Sequence, residues 1–474
     1  MNKYKKLGTN IVTFFIGNMG SRLVQFVFIP LYTYWLTTYE YGVIDTIVIT
    51  VSLCCPFVSL SIHDALLRFL LEHDGKDKEY YSISILLGLV GSAAFSASVY
   101  VFNEIELLKP YWLYFYIYMI LTVFYNIQNS LIRGLEYNKL YSVLGILLTL
   151  LQALGIYLLV GYLHQGIVGY MQALIVAYAL SLCISVFATH SWRYFSLSAV
   201  SKRQFKSMLL YSIPLVPNAM MWWVINSSDK YLILYFLSPE ANGLFAIASK
   251  IPLIINVIYT IFLMAWQISV VEEHNQEGKE KFYHTVYQYM VSGLFLFASF
   301  VMIFIKPLVL NFFDVGYIDT WRYVPILLIS AVFTCLSGYY GSFYVAFKKT
   351  GGALKTSIVC GILNVCVNLI FINYIGLYGV SISNLLCFVF LYVYRIYDTR
   401  KMLIINNENL LVFLNALLLV CQSVAIYIPN IWWSSVVLTL LLGIMIIVNK
   451  NFLINMYHLA HLLINKYICG KNSI

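Results

Sequence analysis

Fourteen apolar runs follow one another along the 474 residues, separated by short polar turns. They lie at about 9–36, 40–71, 80–102, 111–132, 140–163, 166–189, 207–237, 242–271, 282–305, 321–347, 354–375, 377–397, 409–428 and 431–449. Each is long enough to cross a hydrocarbon core, which takes roughly 20 helical residues. Lipid offers no hydrogen bonds to a backbone, so runs of this kind must satisfy their own amides as helices. With 61% hydrophobic and 10% charged residues, the chain lies outside the range of soluble domains. The expected fold class is an all-α integral membrane protein with fourteen transmembrane helices. The weakest boundary is at 377, where only Ile375-Gly376-Leu377-Tyr378-Gly379 separates two runs.

An even helix count puts both termini on one side. That side then holds 22 of the 29 basic residues, from Lys3, Lys5 and Lys6 through Lys76, Arg133, Lys279 and Arg395 to Lys450 and Lys471. Lys109, Lys306 and Arg322 fall in loops on the other face. The positive-inside rule therefore places both termini in the cytoplasm. A net charge of +9 scattered over these short segments is topological, and nucleic acid is excluded as a partner. Trp35, Trp112, Trp192, Trp266, Trp321, Trp432 and Trp433 fall at run ends, where Trp favours the headgroup level. The first run is too long for a signal-peptide core and reads as an uncleaved span. The nine cysteines lack metal-ligand spacing and read as packing residues.

The chain carries signs of duplication. Leu36-Thr37-Thr38-Tyr39-Glu40-Tyr41-Gly42 follows the first run and Leu237-Ser238-Pro239-Glu240-Ala241-Asn242-Gly243 the seventh, at an offset of 201. Gly166-Ile167-Val168-Gly169 and Gly376-Leu377-Tyr378-Gly379 precede the sixth and twelfth at an offset of 210. Two six-helix lobes of shared orientation are expected, residues 1–200 and 201–402, related by a pseudo-two-fold axis along the membrane normal. Residues 403–474 hold two further helices and an amphipathic helix at about 450–466, with Asn451, Asn455, His458 and Asn465 opposite Phe452, Leu453, Leu459, Leu462 and Leu463.

Against this apolar background stand Arg22, Asp64, Asp229, Lys230 and Lys250. A charge at bilayer depth costs several kcal/mol on insertion scales and persists where it faces a protein interior or a wet cavity, which marks a transporter. Asp229 and Lys250 are equally far from the Leu237–Gly243 turn, so a level ion pair is one reading of them, which leaves Lys230 as the free cation. Asp64 and Arg68 are spaced i, i+4 beside His63, which suits a gate-side salt bridge. Trp222 and Trp223 lie deep in the seventh run and point about 100° apart, so at most one faces a central cleft. Pro214 and Pro217 should bend that helix. No Gly-rich phosphate loop ending in Gly-Lys-Ser/Thr, no His-Glu-x-x-His and no nucleophile elbow occurs. The outer loops are short, the longest running from Lys306 to about Thr320, so no enzyme activity and no cofactor are expected.

The 6+6+2 layout, the Lys-rich start, Leu60-Ser61-Ile62-His63-Asp64-Ala65-Leu66-Leu67-Arg68-Phe69, and Pro214-Leu215-Val216-Pro217-Asn218 followed by Ser228-Asp229-Lys230-Tyr231 resemble the Wzx-type polysaccharide-transport flippases. These belong to the MOP superfamily with the MATE drug exporters and the lipid II flippases. The resemblance implies a MATE-like fold in a bacterial cell membrane. It also implies flipping of undecaprenyl-diphosphate-linked oligosaccharide units for capsule, O-antigen or exopolysaccharide assembly, by alternating access through a cationic cavity. Membrane lipids, a polysaccharide polymerase and chain-length machinery are the partners it implies. Arg22, Lys230, Lys250, Asp229, Trp222 and Trp223 then form the substrate set, and Asp64, Arg68 and His63 the gate. Arg22 suits a diphosphate because its planar fork donates two hydrogen bonds at once, although a structural pairing is open to it as well. A lipid II flippase and a MATE-like cation-coupled exporter remain as alternatives. The intramembrane tally of Arg22, Arg68, Lys230 and Lys250 against Asp45, Asp64 and Asp229 disfavours the exporter.

Overall fold

The computed structural model describes residues 24–72, 74–97, 106–273, 278–347, 350–400 and 409–455, and these form helices joined by short turns, with no strand among them. They divide into two compact units, one reaching Ile247 and taking in Asp314–Tyr317, the other comprising Ala248–Phe313 and the chain from Ile318. Ten helices among the described residues are long and apolar enough to cross a membrane. The protein is a multi-pass membrane protein.

In the first unit, α1 covers residues 24–35. It is followed by α2 (Thr38–Ser59), α3 (Ile62–Leu70), α4 (Asp77–Ser96), α5 (Trp112–Gly134), α6 (Asn138–Ile156), α7 (Gly166–Thr189), α8 (Lys202–Ser212), α9 (Leu215–Phe236) and the start of α10 (Pro239–Lys250). The division at Ile247 leaves α9 in the first unit, packed on α2. A capping box opens α2: the Thr37 hydroxyl accepts from the Glu40 amide at 3.2 Å while the Glu40 carboxylate accepts from the Thr37 amide at 2.9 Å.

The second run, expected as one helix over 40–71, is two. Pro56 lacks an amide hydrogen, and the chain then takes two consecutive left-handed residues, Leu60 (φ 49°) and Ser61 (φ 50°), before α3 begins. The Leu60 and Ser61 amides bond back to the Phe57 and Pro56 carbonyls, closing α2 at the break. The run at 207–237 is also divided, into α8 and α9 at Pro214, while Pro217 sits in the first turn of α9, where a missing amide hydrogen costs little.

The second unit contains α11 (Leu253–Glu273), α12 (Lys279–Phe312), α13 (Val324–Ala346), α14 (Thr350–Ile375), α15 (Leu377–Thr399), α16 (Asn409–Ala425) and α17 (Ile431–Val448). Residues 450–455 form a further helical turn, and the rest of the amphipathic segment, with His458 and Asn465, lies outside the described residues. Within this unit α13 is the central helix, with 78% of its span buried, and α17 is peripheral, with 17%. Trp266 was expected at an interface. It is instead 2% exposed and stacks on Tyr339 at 4.6 Å between centroids, because α11 continues well past it.

Two basic residues expected near the membrane surfaces are also interior. Arg395 is held within α15, where its guanidinium donates to the Ser337 carbonyl at 3.0 Å and to the Thr356 and Ser357 hydroxyls at 3.3 and 3.2 Å. Lys306 lies in α12, which runs on to Phe312 and shortens the longest outer loop. Its ammonium donates to the carbonyls of Ile426 and Ile428 at 3.0 and 2.9 Å and lies 4.7 Å from the centre of the Trp321 ring. These carbonyls follow the last turn of α16, so a cation there has the favourable end of the helix dipole.

Candidate functional site

One face of α2 gathers the polar groups of the first unit. Gly42, Asp45, Thr46, Ile49 and Thr50 recur at i, i+3, i+4, i+7 and i+8, which makes a single helical stripe. Opposite them α9 presents Trp223, Lys230 and Tyr231, spaced i, i+7 and i+8. The Lys230 ammonium is 2.8 and 3.0 Å from the two Asp45 carboxylate oxygens, and both side chains are largely buried. The Trp223 indole donates to the Ile49 carbonyl at 3.0 Å and packs edge-on against the Tyr231 ring, whose hydroxyl shares a hydrogen bond with Thr50.

The N-termini of α2 and α10 meet at the start of this stripe. The Asn242 carboxamide, wholly buried, donates to the Gly42 carbonyl at 3.1 Å and to the Thr46 hydroxyl at 3.2 Å. Only glycines fit at the crossing. A Cβ on Gly42 would lie 1.9 Å from the Pro239 carbonyl oxygen, and a Cβ on Gly243 would lie 1.9 Å from that of Thr38. The 314–317 segment covers the end of α1. The Asp314 amide donates to Thr33, and the Tyr317 hydroxyl lies 3.1 and 2.9 Å from the Leu36 and Thr37 carbonyls. Burial, followed by the neighbouring Tyr41, Glu40 and Asp314, holds that phenol far above its ordinary range.

Of the residues singled out in the sequence, Lys230 is in this cluster but is not the free cation expected: Asp45, which the spacing argument left unassigned, neutralises it. Trp223 is bound into the helix contact while Trp222 is 51% exposed, so the adjacent pair diverges as helical geometry requires. Asp229 is 7% exposed, and its carboxylate accepts from the Lys230 amide at 2.9 Å. Lys250 ends α10 in the second unit, half-buried. Arg22 lies outside the described residues. The Asp64–Arg68 bridge does not form. Arg68 pairs with Glu72 one turn on, at 3.0 Å, and Asp64 lies 3.7 Å from His63. Asp64–Arg68 and Arg68–Glu72 are both spaced i, i+4, and the second is the pair made. The missed partner, Asp45, had one signal available, an acidic residue on the same stripe as Gly42.

The fold is the one seen in solved structures of MATE transporters and of a lipid II flippase. The chain belongs to the polysaccharide biosynthesis protein family, whose profile matches residues 7–267. No curated protein sequence matches it. Among solved structures it is similar to the lipid II flippase MurJ in an inward closed conformation, with a TM-score of 0.73 at 12% identity over 94% of this chain and 99% of that one. It is also similar to an inward-facing multidrug resistance MATE family transporter, with a TM-score of 0.62 at 14% identity over 83% and 94%. A MOP superfamily transporter from Pyrococcus furiosus, described as having a binding pocket of reversed polarity, gives a TM-score of 0.58 at 15% identity over 83% and 96%.

Proposed function

We propose that the protein flips an undecaprenyl-diphosphate-linked oligosaccharide from the inner to the outer leaflet of a bacterial cell membrane, with both termini cytoplasmic, supplying capsule, O-antigen or exopolysaccharide assembly. The observation that carries this reading is the family match over residues 7–267, which covers the whole of the α2 and α9 stripe. The stripe adds chemical support. Three hydroxyls, an indole, a carboxamide and one ion pair suit a ligand that is polyhydroxylated and anionic. In this reading the Asp45–Lys230 pair keeps the cation neutral until the substrate diphosphate competes for it, alongside Arg22, during alternating access. Lys250, Asp229 and Trp222 complete the proposed substrate set, and His63, Asp64 and Arg68 act at its cytoplasmic approach.

Transport of lipid II is the second reading, favoured by the likeness to the lipid II flippase over 94% of the chain. Reconstitution separates the two. Proteoliposomes carrying a fluorescent undecaprenyl-diphosphate oligosaccharide should show protein-dependent exposure of the glycan at the opposite leaflet, and Lys230→Ala and Arg22→Ala should each slow it. Exposure of lipid II alone would reassign the substrate, and exposure of neither would remove the flippase reading.

A further inference from the structure

In the second unit a cavity of about 390 Å³ opens between α12, the start of α16 and the turn that follows α17. Its polar wall is made of Gln288, Ser292, Asn449, Asn451 and Asn455. Four of these are carboxamides, and those of Asn451 and Asn455 can each donate and accept at once, which is the pattern a vicinal diol presents in return. None of the ten lining residues carries a formal charge. An anionic headgroup held here would find no counter-charge among the lining residues, which favours a neutral ligand.

The arrangement is built from beneath. Asn415 and Asn449, both fully buried, exchange carboxamide hydrogen bonds at 3.3 and 2.7 Å, and Asn449 also donates to the Met445 carbonyl at 2.8 Å. This fixes Asn449 as the floor. Asn451 and Asn455, spaced i, i+4 on one face of the 450–455 turn, have no hydrogen-bond partner among the described residues. Beside them the Tyr289 and Phe452 rings stand 5.8 Å apart and tilted by 60°. Ring faces are electron-rich and receive the C–H groups of a sugar's apolar face. Leu411, Val448 and Ile454 make the remaining wall apolar, so a chain attached to the sugar can leave toward lipid. The volume falls in the lower part of the roughly 300–1,000 Å³ range of small-molecule sites.

We infer that this cavity binds a neutral sugar headgroup, the sugar between the amides and the aromatic rings and any attached lipid chain outside. The positive-inside orientation puts the site at the inner leaflet, where a glycolipid would meet it. The inference stands apart from the proposed flippase activity and survives its failure.

The test uses the full-length protein in nanodiscs of phosphatidylethanolamine and phosphatidylglycerol. Two diazirine probes are compared, a monoglucosyl diacylglycerol and a phosphatidylglycerol of equal chain length, with maltose as a soluble competitor. The glucosyl probe is expected to label peptides containing residues 288–292 and 449–455. Combining Asn451→Leu with Asn455→Leu should cut that labelling about tenfold, as two lost hydrogen bonds imply. Restoring the amides as Asn451→Gln with Asn455→Gln should recover part of it, which separates ligand loss from misfolding. Competition by maltose would mean that the sugar suffices, and labelling that resists maltose would mean that a lipid-linked sugar is required. Equal labelling by the phosphatidylglycerol probe, or unchanged labelling of the leucine variant, would overturn the assignment.

Discussion

Gly42 and Gly243 meet reciprocally, each glycine facing the carbonyl four residues before the other. Gly42 faces Pro239 and Gly243 faces Thr38, and each glycine's Cβ position is 2.9 Å from the other's amide nitrogen. Thr38 and Pro239 differ by 201 in number, as do Gly42 and Gly243. A contact in which i meets j and j meets i is the form a two-fold axis produces. It is therefore the place where the two copies of a duplicated hairpin would touch, and small residues there let two helix backbones approach closely.

That contact gives the first expectation. Gly42→Ala and Gly243→Ala each push a methyl into a backbone oxygen that no rotamer change can move, so α2 and α10 must separate. The cost should be about 1–3 kcal/mol or more, as in overpacked cores. It would appear as a lower melting temperature of the detergent-solubilised protein and as loss of surface polysaccharide in a complemented deletion strain. Gly443→Ala, with nothing within 4 Å of its Cβ position, is the control and should behave as wild type. A stable, active Gly42→Ala variant would mean that the helices do not cross this closely.

The Asp45–Lys230 pair should be strongly coupled. Removing one partner strands the other charge in a largely buried site, at about 3–5 kcal/mol, whereas replacing both with apolar residues of similar volume can be nearly neutral. Asp45→Leu and Lys230→Met are each expected to lower membrane abundance sharply, and the double variant to recover it without recovering export. Additive losses in this double-mutant cycle would show that the two side chains do not depend on each other. Recovery of export would show that Lys230 is structural only.

The apolar runs were legible because lipid imposes a length and a composition on any crossing segment, and each run that lies among the described residues coincides with a helix or a pair of helices. The glycines were legible for a related reason, since a turn repeated at one offset stands out against apolar sequence. Pairings were not. Lys230 finds a carboxylate 185 residues away, and nothing local distinguishes Asp45 from other acids. Arg395 sits near the end of an apolar run, where a snorkelling side chain and a buried one look alike. What decides is supplied by Ser337, Thr356 and Ser357 on two other helices. The break in α2 was hidden because Leu60 and Ser61 are ordinary residues in an uncommon conformation, with the nearest Pro several positions upstream.

The same break predicts a stabilising substitution. A left-handed conformation costs a non-glycine residue roughly 1–2 kcal/mol, and the buried Ser61 hydroxyl has no hydrogen-bond partner among the described residues. Ser61→Gly removes both burdens at the expense of unfolded-state entropy, so the melting temperature should hold or rise slightly. Ser61→Val should lower it, since β-branched residues resist positive φ. Strain of this kind is often kept at positions that move, so the glycine variant should also show an altered transport rate. Normal stability of the valine variant would indicate that the backbone here is not left-handed.

Arg395 allows the sharpest separation of charge from hydrogen bonding. Its guanidinium is buried among neutral partners, and no carboxylate among the described residues forms an ion pair with it. Arg395→Lys keeps the charge but replaces a fork that reaches three acceptors with a single ammonium, and lysine is the more strongly hydrated ion. That variant should lose about 2–4 kcal/mol, because a charge stays buried while part of its hydrogen bonding is lost. Arg395→Met removes the charge and fills much of the same volume, and the freed Thr356 and Ser357 hydroxyls can turn to carbonyls of their own helix. It should therefore melt above Arg395→Lys. The order of the two melting temperatures is the measurement. If the lysine variant is the more stable, a positive charge at this point in α15 is itself required, and a counter-charge beyond hydrogen-bonding distance must be part of the second unit's interior.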